Sequence, residues 1–207
     1  MTQIFLPAHL AWTFARLPDV LATQQITPAA VVHVGAHHGE EVDLYRRCGF
    51  TDITLVEPDP RSVAVLRGRF GGQPDVSIYP VAATPVEGTG TADLHLAART
   101  VWSGLDPHPT ATGYTVQVPT AGIRALTGYA AVLVLDTQGS ELELLAAVDL
   151  TGRDLVIVET TRRRGDGAAF YDDAVVAMAA RRWRVVEEWV HDSSGYTDTV
   201  FVPERHR

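Results

Sequence analysis

The stretch AAVVHVGAHHGEEVDLYRRCGFTDITLVEP, residues 29–58, decides the fold. A short apolar run (29–35) leads into a glycine turn. A helix-like segment (40–50) follows and stops at Gly49, and a second apolar run (52–58) carries an acid, Glu57, at its end. This is the reading of a nucleotide-binding strand–turn–helix corner followed by its next parallel strand. Gly35 lets the chain turn sharply, and Gly39 lets a ligand or a helix come close. The following helix start offers unpaired N–H groups to an anionic group. Glu57 lies 18 residues after Gly39. A carboxylate at that place can accept hydrogen bonds from both hydroxyls of a ribose.

Working outward, strand-like and helix-like segments alternate. Residues 8–25 have helical apolar spacing broken at Pro18 and read as a short N-terminal cap, so the chain divides into a cap (1–28) and one large domain (29–207). Residues 60–70 are helical and end at Gly71-Gly72, and 75–81 form a third strand. Residues 91–97 alternate like a half-exposed strand, 98–113 have no clear period, 115–120 are extended, and 121–128 form a short helix. The most apolar run, 130–136, ends at Asp136 and precedes a helix over 139–148; a buried strand follows over 154–160, then a helix over 167–182. The chain closes with two strands, 183–190 and 196–203, around an HDSSG turn. Continuous apolar strands between helices predict an α/β, Rossmann-like, mostly parallel sheet with helices on both faces, closed by an antiparallel pair. Ligands of such sheets bind beyond the carboxyl ends of the strands, so the chemistry is expected there.

Composition narrows the chemistry. The net charge of −8 argues against general nucleic-acid binding. Cys48 is the single cysteine, which rules out a disulfide framework and a Cys-rich metal site and fits a reducing cytoplasm. No secretory signal pattern opens the sequence, and no apolar run approaches the ~18 residues of a membrane span. All 17 basic residues are arginines. Without lysine, Schiff-base chemistry, pyridoxal phosphate anchoring and Walker-type phosphate binding are excluded. With the Ala and Val richness, the arginine bias also suggests a high-GC bacterial source.

The turn discriminates between cofactors. A dinucleotide site wants G-x-G-x-x-G, whereas this turn reads G-x-x-x-G with His37 where the second glycine would stand. A side chain there disfavours a pyrophosphate, and so NAD. S-adenosylmethionine has no pyrophosphate, and its site tolerates the histidine better.

Together, VVHVGAHHGEE, TLVEPDP, LVLDTQGSELELL, LVIVET and WRVVEEW…TDTVFV resemble the FkbM-type S-adenosylmethionine-dependent methyltransferases over about residues 29–203, with D-x-Q-G-S-E-L-E-L-L the most specific element. Many members of that family have Asp where His33 stands and Asn where His37 stands. The resemblance implies a class I methyltransferase sheet of seven strands in the order 3-2-1-4-5-7-6. It also implies methylation of a small molecule, chiefly at oxygen, as in natural product biosynthesis or on a sugar. By position it places His33, Gly35, Ala36, His37 and Gly39 around the methionine portion of S-adenosylmethionine, Glu57 and Pro58 at the ribose, and Val81, Ala82 and Ala83 near the adenine. Asp136 and Gln138 fall near the transferring methyl group, Glu159 faces the same crevice, and Tyr171 matches a tyrosine frequent in the family.

Asp136 and His37 are the two candidate catalytic bases. A carboxylate ending a buried strand is costly unless paired or functional, which favours a role for Asp136. His33 reads equally as a core histidine, and His38 as a solvated residue at a helix start. A metal is not expected: the histidines lack ligand spacing, and Glu141 is explained by helix-dipole stabilisation, although Asp136, Glu141 and Glu159 are a set that could hold a divalent ion. Trp102 and Ser103, in the irregular segment, are candidates for a substrate wall, with Trp12 of the cap beside them. Arg162, first of the run Arg162-Arg163-Arg164, is a candidate partner for an acidic substrate. The expected partner is a small-molecule methyl acceptor, not a nucleic acid or a membrane, with S-adenosylhomocysteine as product; a homodimer is compatible with the sequence. The rival readings are an NAD-dependent oxidoreductase on a Rossmann-like fold and a non-catalytic cofactor-binding module.

Overall fold

A computed structural model describes residues 14–106, 111–163, 168–191 and 195–204. Trp12 and Arg164 lie outside the described residues. After a 3-10 turn (Phe14–Arg16) come α1 (Leu17–Thr23), β1 (Ala30–Val34), α2 (Val42–Cys48), β2 (Asp52–Val56), α3 (Pro60–Phe70) and β3 (Val76–Tyr79). Then follow β4 (Ala82–Thr84), β5 (Thr89–Ala97), a 3-10 turn (Thr100–Trp102), β6 (Ala111–Gly122), α4 (Ile123–Thr127), β7 (Val132–Leu135) and α5 (Glu141–Ala147). The chain ends with β8 (Leu155–Thr161), β9 (Ala169–Phe170), α6 (Tyr171–Ala180), β10 (Trp183–Val190) and β11 (Tyr196–Pro203).

The main sheet runs β3-β2-β1-β7-β8-β11-β10, with the short β9 added beside β8. Its pairings are parallel from β3 through β8, whereas β11 pairs antiparallel with both β8 and β10. In order of appearance along this path the strands read 3-2-1-4-5-7-6, the order expected of a class I methyltransferase sheet. The connection from β1 leads outward to β2 and β3, and the chain then returns to lay β7 on the other side of β1. That reversal is the switch point at which open α/β sheets bind ligands.

Two apolar layers cover the sheet. One contains Leu17, Val20 and Leu21 of α1, Tyr45 of α2, and Leu66 and Phe70 of α3, packed on Val31 and Ile53. The other contains Ile123 of α4, Leu144 and Leu145 of α5, and Met178 of α6, packed on Val32, Val34 and Leu133. Each side chain of this kind that is fully buried contributes about 1.5–3 kcal/mol. The alternation along β1 decides what its residues can do. His33 projects to the same face as Val31, into the layer of Phe14 and Tyr45, while Val34 projects to the other.

Several local expectations change. Pro18 does not break a helix; it sits in the first turn of α1, where its missing N–H costs nothing. The segment expected as one helix over 167–182 begins as β9, and α6 starts only at Tyr171. The extended piece at 115–120 is the middle of the 12-residue strand β6, which forms a separate sheet in the order β4-β6-β5. Among the described residues, no helix is long and apolar enough to cross a membrane.

Gly35 is fixed by contact as well as by conformation. Its φ is 85°, and a Cβ on it would lie 1.5 Å from the main-chain oxygen of Asp136. Gly35→Ala should therefore destabilise the protein by about 3 kcal/mol or more, from ~1–2 for a left-handed alanine and ~1–3 for forced repacking. Urea unfolding of the purified variant checks this; a loss under about 1 kcal/mol would mean that β1 and β7 separate easily.

Candidate functional site

The carboxyl ends of β1, β2 and β7, with the loop after β5, enclose a cleft of about 550 Å³, its open mouth included. Its floor is Val34, Gly35, Val56 and Asp136. One wall is Glu57, Pro58, Val81, Ala82 and Ala83; the other is Thr137, Gln138 and Ser140. Leu94, Thr100, Val101, Ser103, Gly104 and Leu105 close over it from the second sheet and its loop. Sequence reasoning did not single out Leu94, Thr100, Val101, Gly104, Leu105, Thr137 or Ser140. Leu94 of β5 and the residues of the β5–β6 loop join the cleft through long-range packing, which no local period reveals, and Thr137 and Ser140 through the loop after β7.

Glu57 holds the centre of one wall. Its Oε2 accepts the backbone N–H of His37 at 2.8 Å, and its Oε1 accepts that of Asp59 at 2.8 Å. Each oxygen therefore keeps a second lone pair for another donor. Burial pushes the carboxyl up to about 7, against the two amides that stabilise the charged form. Asp59 caps α3, accepts the Arg61 amide at 2.9 Å and pairs with the Arg61 guanidinium at 2.7 Å. Arg61 in turn donates to the Ser103 hydroxyl at 3.0 Å and to the Ala97 carbonyl at 3.1 Å. Ser103 lines the cleft, but its oxygen is already engaged by Arg61 and by the Ala97 amide at 3.1 Å. Its hydroxyl fastens the loop.

His37 stands in the left-handed region at φ 44°, unusual for a residue with a side chain. Its Nδ1 lies 2.9 Å from Glu40 Oε1 and its Nε2 lies 2.7 Å from Thr100 Oγ1. The His38 ring stacks on it at 3.7 Å, and the His38 amide donates to Glu40 Oε2 at 3.1 Å. Burial opposes charge on His37, yet the hydrogen bond and charge of Glu40, with Glu57 and Asp136 behind, raise its pKa. The N-terminus of α2 thus already holds carboxylates of its own.

Across the cleft, Gln138 Nε2 donates to Asp136 Oδ1 at 2.7 Å and to Glu159 Oε2 at 2.8 Å. Gln138 also has a positive φ of 58°. Burial raises both acids, Glu159 well above the usual carboxylate range, and the negative charge of neighbouring acids adds to each shift. Glu159 lies behind Asp136, outside the lining of the cleft. Ligand atoms of Asp136, Glu141 and Glu159 lie within 4.8 Å of one another. Glu141, however, is fully committed: Oε1 accepts from the Thr137 amide at 2.7 Å and hydroxyl at 3.0 Å, the Gly139 amide reaches both oxygens at 3.1 Å, and Oε2 accepts from the Ala169 amide at 3.1 Å. It clamps the loop after β7 and fixes β9, which is why the expected helix starts late.

Other expected site residues stand elsewhere. His33, Ala36 and Gly39 do not line the cleft. His33 is buried beneath the sheet, 3.0 Å from the Tyr45 hydroxyl, and burial pulls its pKa down to about 4, so it is neutral. Ala36 is in the core. A Cβ on Gly39 would meet Phe70 at 2.7 Å and Leu66 at 2.9 Å, so this glycine lets the turn pack on α3. Trp102 lies outside the lining, with the Arg99 guanidinium over its ring at 5.0 Å. Arg162 is not in the cleft either; it pairs with Glu188 at 2.6 Å and lies over the Tyr171 ring at 3.9 Å, while Tyr171 donates to Glu188 at 2.7 Å. Its charge is answered by Glu188.

Comparison by sequence finds no matching family model and no matching curated protein. Comparison of structures does find similar folds. Magnesium protoporphyrin IX methyltransferase from Synechocystis PCC 6803, solved with bound S-adenosylmethionine, matches with a TM-score of 0.58 at 9% identity, over 95% of this chain and 81% of that one. Methyltransferase FkbM from Methylobacillus flagellatus KT matches with a TM-score of 0.56 at 12% identity, over 85% of this chain but 44% of that one. The 1,6-didemethyltoxoflavin-N1-methyltransferase of Burkholderia thailandensis, bound to its substrate and S-adenosylhomocysteine, matches with a TM-score of 0.51 at 12% identity, over 91% of this chain and 76% of that one. The fold is that of the class I, Rossmann-like methyltransferases.

Replacing Glu141 by Gln puts an NH₂ group where amide donors converge. Glu141→Gln should cost about 3 kcal/mol, the scale of losing hydrogen bonds to a buried charged acceptor. Chemical denaturation measures it, and a change below about 1 kcal/mol would show that the loop does not depend on this clamp.

Proposed function

We infer that the protein is an S-adenosylmethionine-dependent methyltransferase acting on a small molecule, most readily at oxygen. The carrying observation is Glu57: a carboxylate on the cleft wall, each oxygen held by one backbone amide and each with one acceptor position left. Two vicinal ribose hydroxyls require that pattern. Ala82 and Ala83 supply a small apolar surface beside it, suited to an adenine ring, and Gly35 and His37 border the opposite end, where the methionine portion would lie. The bound methyltransferases of like fold support the same cofactor, and the FkbM fold supports the family resemblance.

S-adenosylmethionine supplies a methyl group on a sulfonium that is open to in-line displacement. The work left to this chain is to bind, orient and remove a proton. Asp136, at the end of β7, and His37, in the turn after β1, border the same cleft and are the two groups able to shape that step. A small acceptor, rather than a nucleic acid, is favoured by the net charge of −8 and by a lining without arginine among the described residues.

The test is calorimetry with S-adenosylhomocysteine between pH 6 and 8. The ionised form of Glu57 accepts both ribose hydroxyls, and in the free protein it titrates near 7. Affinity should therefore rise about tenfold from pH 6 to pH 8, with proton release on binding. Glu57→Gln should bind weakly and lose this dependence. No binding at any pH, or equal affinity in the variant, sinks the assignment.

A further inference from the structure

His37 cannot act on a substrate directly, because both of its ring nitrogens are occupied. Glu40 is a carboxylate, so it accepts, and Nδ1 carries the proton. In neutral His37, Nε2 is therefore a lone pair, and the 2.7 Å contact is the Thr100 hydroxyl donating to it. The oxygen of Thr100 then turns its own lone pairs toward the cleft that it lines. Acid, imidazole and hydroxyl follow one another as in a hydrolase triad, at 2.9 and 2.7 Å. The ring is held still by the His38 ring stacked at 3.7 Å and by the bond from the His37 amide to Glu57.

We propose that Glu40, His37 and Thr100 form a proton relay that serves a hydroxyl group of the methyl acceptor, with Thr100 Oγ1 as the atom that meets it. This rests on the methyltransferase reading. As the acceptor oxygen bonds to the methyl carbon, the carbon–sulfur bond breaks and its electron pair goes to sulfur. The acceptor proton passes to Thr100 Oγ1, the Thr100 proton passes to His37 Nε2, and Glu40 holds the resulting imidazolium. The chemistry of the lining selects the acceptor class. A carboxylate needs no base but needs a cation, and no arginine lines the cleft among the described residues, while the sequence has no lysine. A hydroxyl needs no cation and does need a base.

The groups that set the titration of His37 are Glu40 and His38 in its own turn, Glu57 at the end of β2 and Asp136 at the end of β7. The experiment has two arms on S-adenosylhomocysteine- or S-adenosylmethionine-loaded protein. The first is long-range ¹⁵N NMR of His37. The relay requires the Nδ1–H tautomer above its pKa and a lower pKa in Glu40→Gln; an Nε2–H tautomer overturns it. The second is turnover, read as S-adenosylhomocysteine formation, with catechol, phenol and methyl glucoside as probes. Thr100→Val should keep S-adenosylhomocysteine affinity within about twofold and lose about a hundredfold or more in kcat. Thr100→Ser should recover most of it, and the acid limb of the pH profile should move to lower pH in Glu40→Gln. Thr100→Val turnover within about threefold of the parent overturns the relay and leaves Asp136 as base. No turnover of any hydroxyl probe by protein that binds S-adenosylhomocysteine overturns the hydroxyl assignment. A failure to bind S-adenosylhomocysteine at all is instead the failure of the methyltransferase reading.

Discussion

Gly35 can rest against the main-chain oxygen of Asp136 only because it has no Cβ, and that contact sets the floor of the site. It lies where the sheet reverses, between β2 on one side and β7 on the other. With Gly35 at φ 85°, the chain leaves β1 over the end of the sheet, and its amide bonds the Val56 carbonyl at 2.8 Å. The Asp136 amide bonds the Val34 carbonyl at 2.9 Å. The ends of three strands are thus stapled side by side, and their next residues, His37, Glu57 and Gln138, arrive around one cleft. Any larger residue at Gly35 would part β1 from β7 and move both walls.

Strain is concentrated on those walls. His37 and Gln138 are both left-handed residues with side chains, at φ 44° and 58°. Such residues cost of order 1–3 kcal/mol and persist where the surroundings over-determine them. Glu57, Glu40 and Thr100 hold His37; Asp136 and Glu159 hold Gln138. In a dinucleotide turn a glycine would take the position of His37 at no cost. Here the backbone bend is retained and a ring is added, so the chain accepts strain in exchange for a polar group inside the turn.

What could be read from the sequence follows from this division between sheet and loop. The parallel strands are buried on both faces, so they appear as unbroken apolar runs, and their order follows from the alternation with helices. Glu57 and Asp136 were visible because an acid ending such a run has few structural excuses. The β4-β6-β5 sheet was harder. β6 is exposed along much of its first half and carries Pro119, so only its centre looked like a strand. β9 exists because Glu141 holds the Ala169 amide, a contact across 28 positions that no period encodes. Thr100 reaches His37 across 63 positions, and Arg61 reaches Ser103 across 42. His33 reads equally as a cofactor neighbour and a core histidine, and strand parity decides between them by turning it into the Tyr45 layer.

The acids of the site therefore have different work despite their proximity. Glu141 spends every lone pair on amides and a hydroxyl, and so builds the loop. Glu159 is pushed well above the usual carboxylate range by burial and is tied to Asp136 through Gln138. Glu57 is poised near neutrality, with half its acceptor capacity kept open. Glu40 is paired with His37, whose ring touches the loop over the cleft. Placing five carboxyl groups around so small a volume would be prohibitive if all were ionised and idle. The cost is met by giving one to the backbone, raising the pKa of another and pairing a third with a histidine. That leaves Glu57 and Asp136 as the groups that face a bound molecule, the first suited to a pair of hydroxyl donors and the second to a cationic sulfonium.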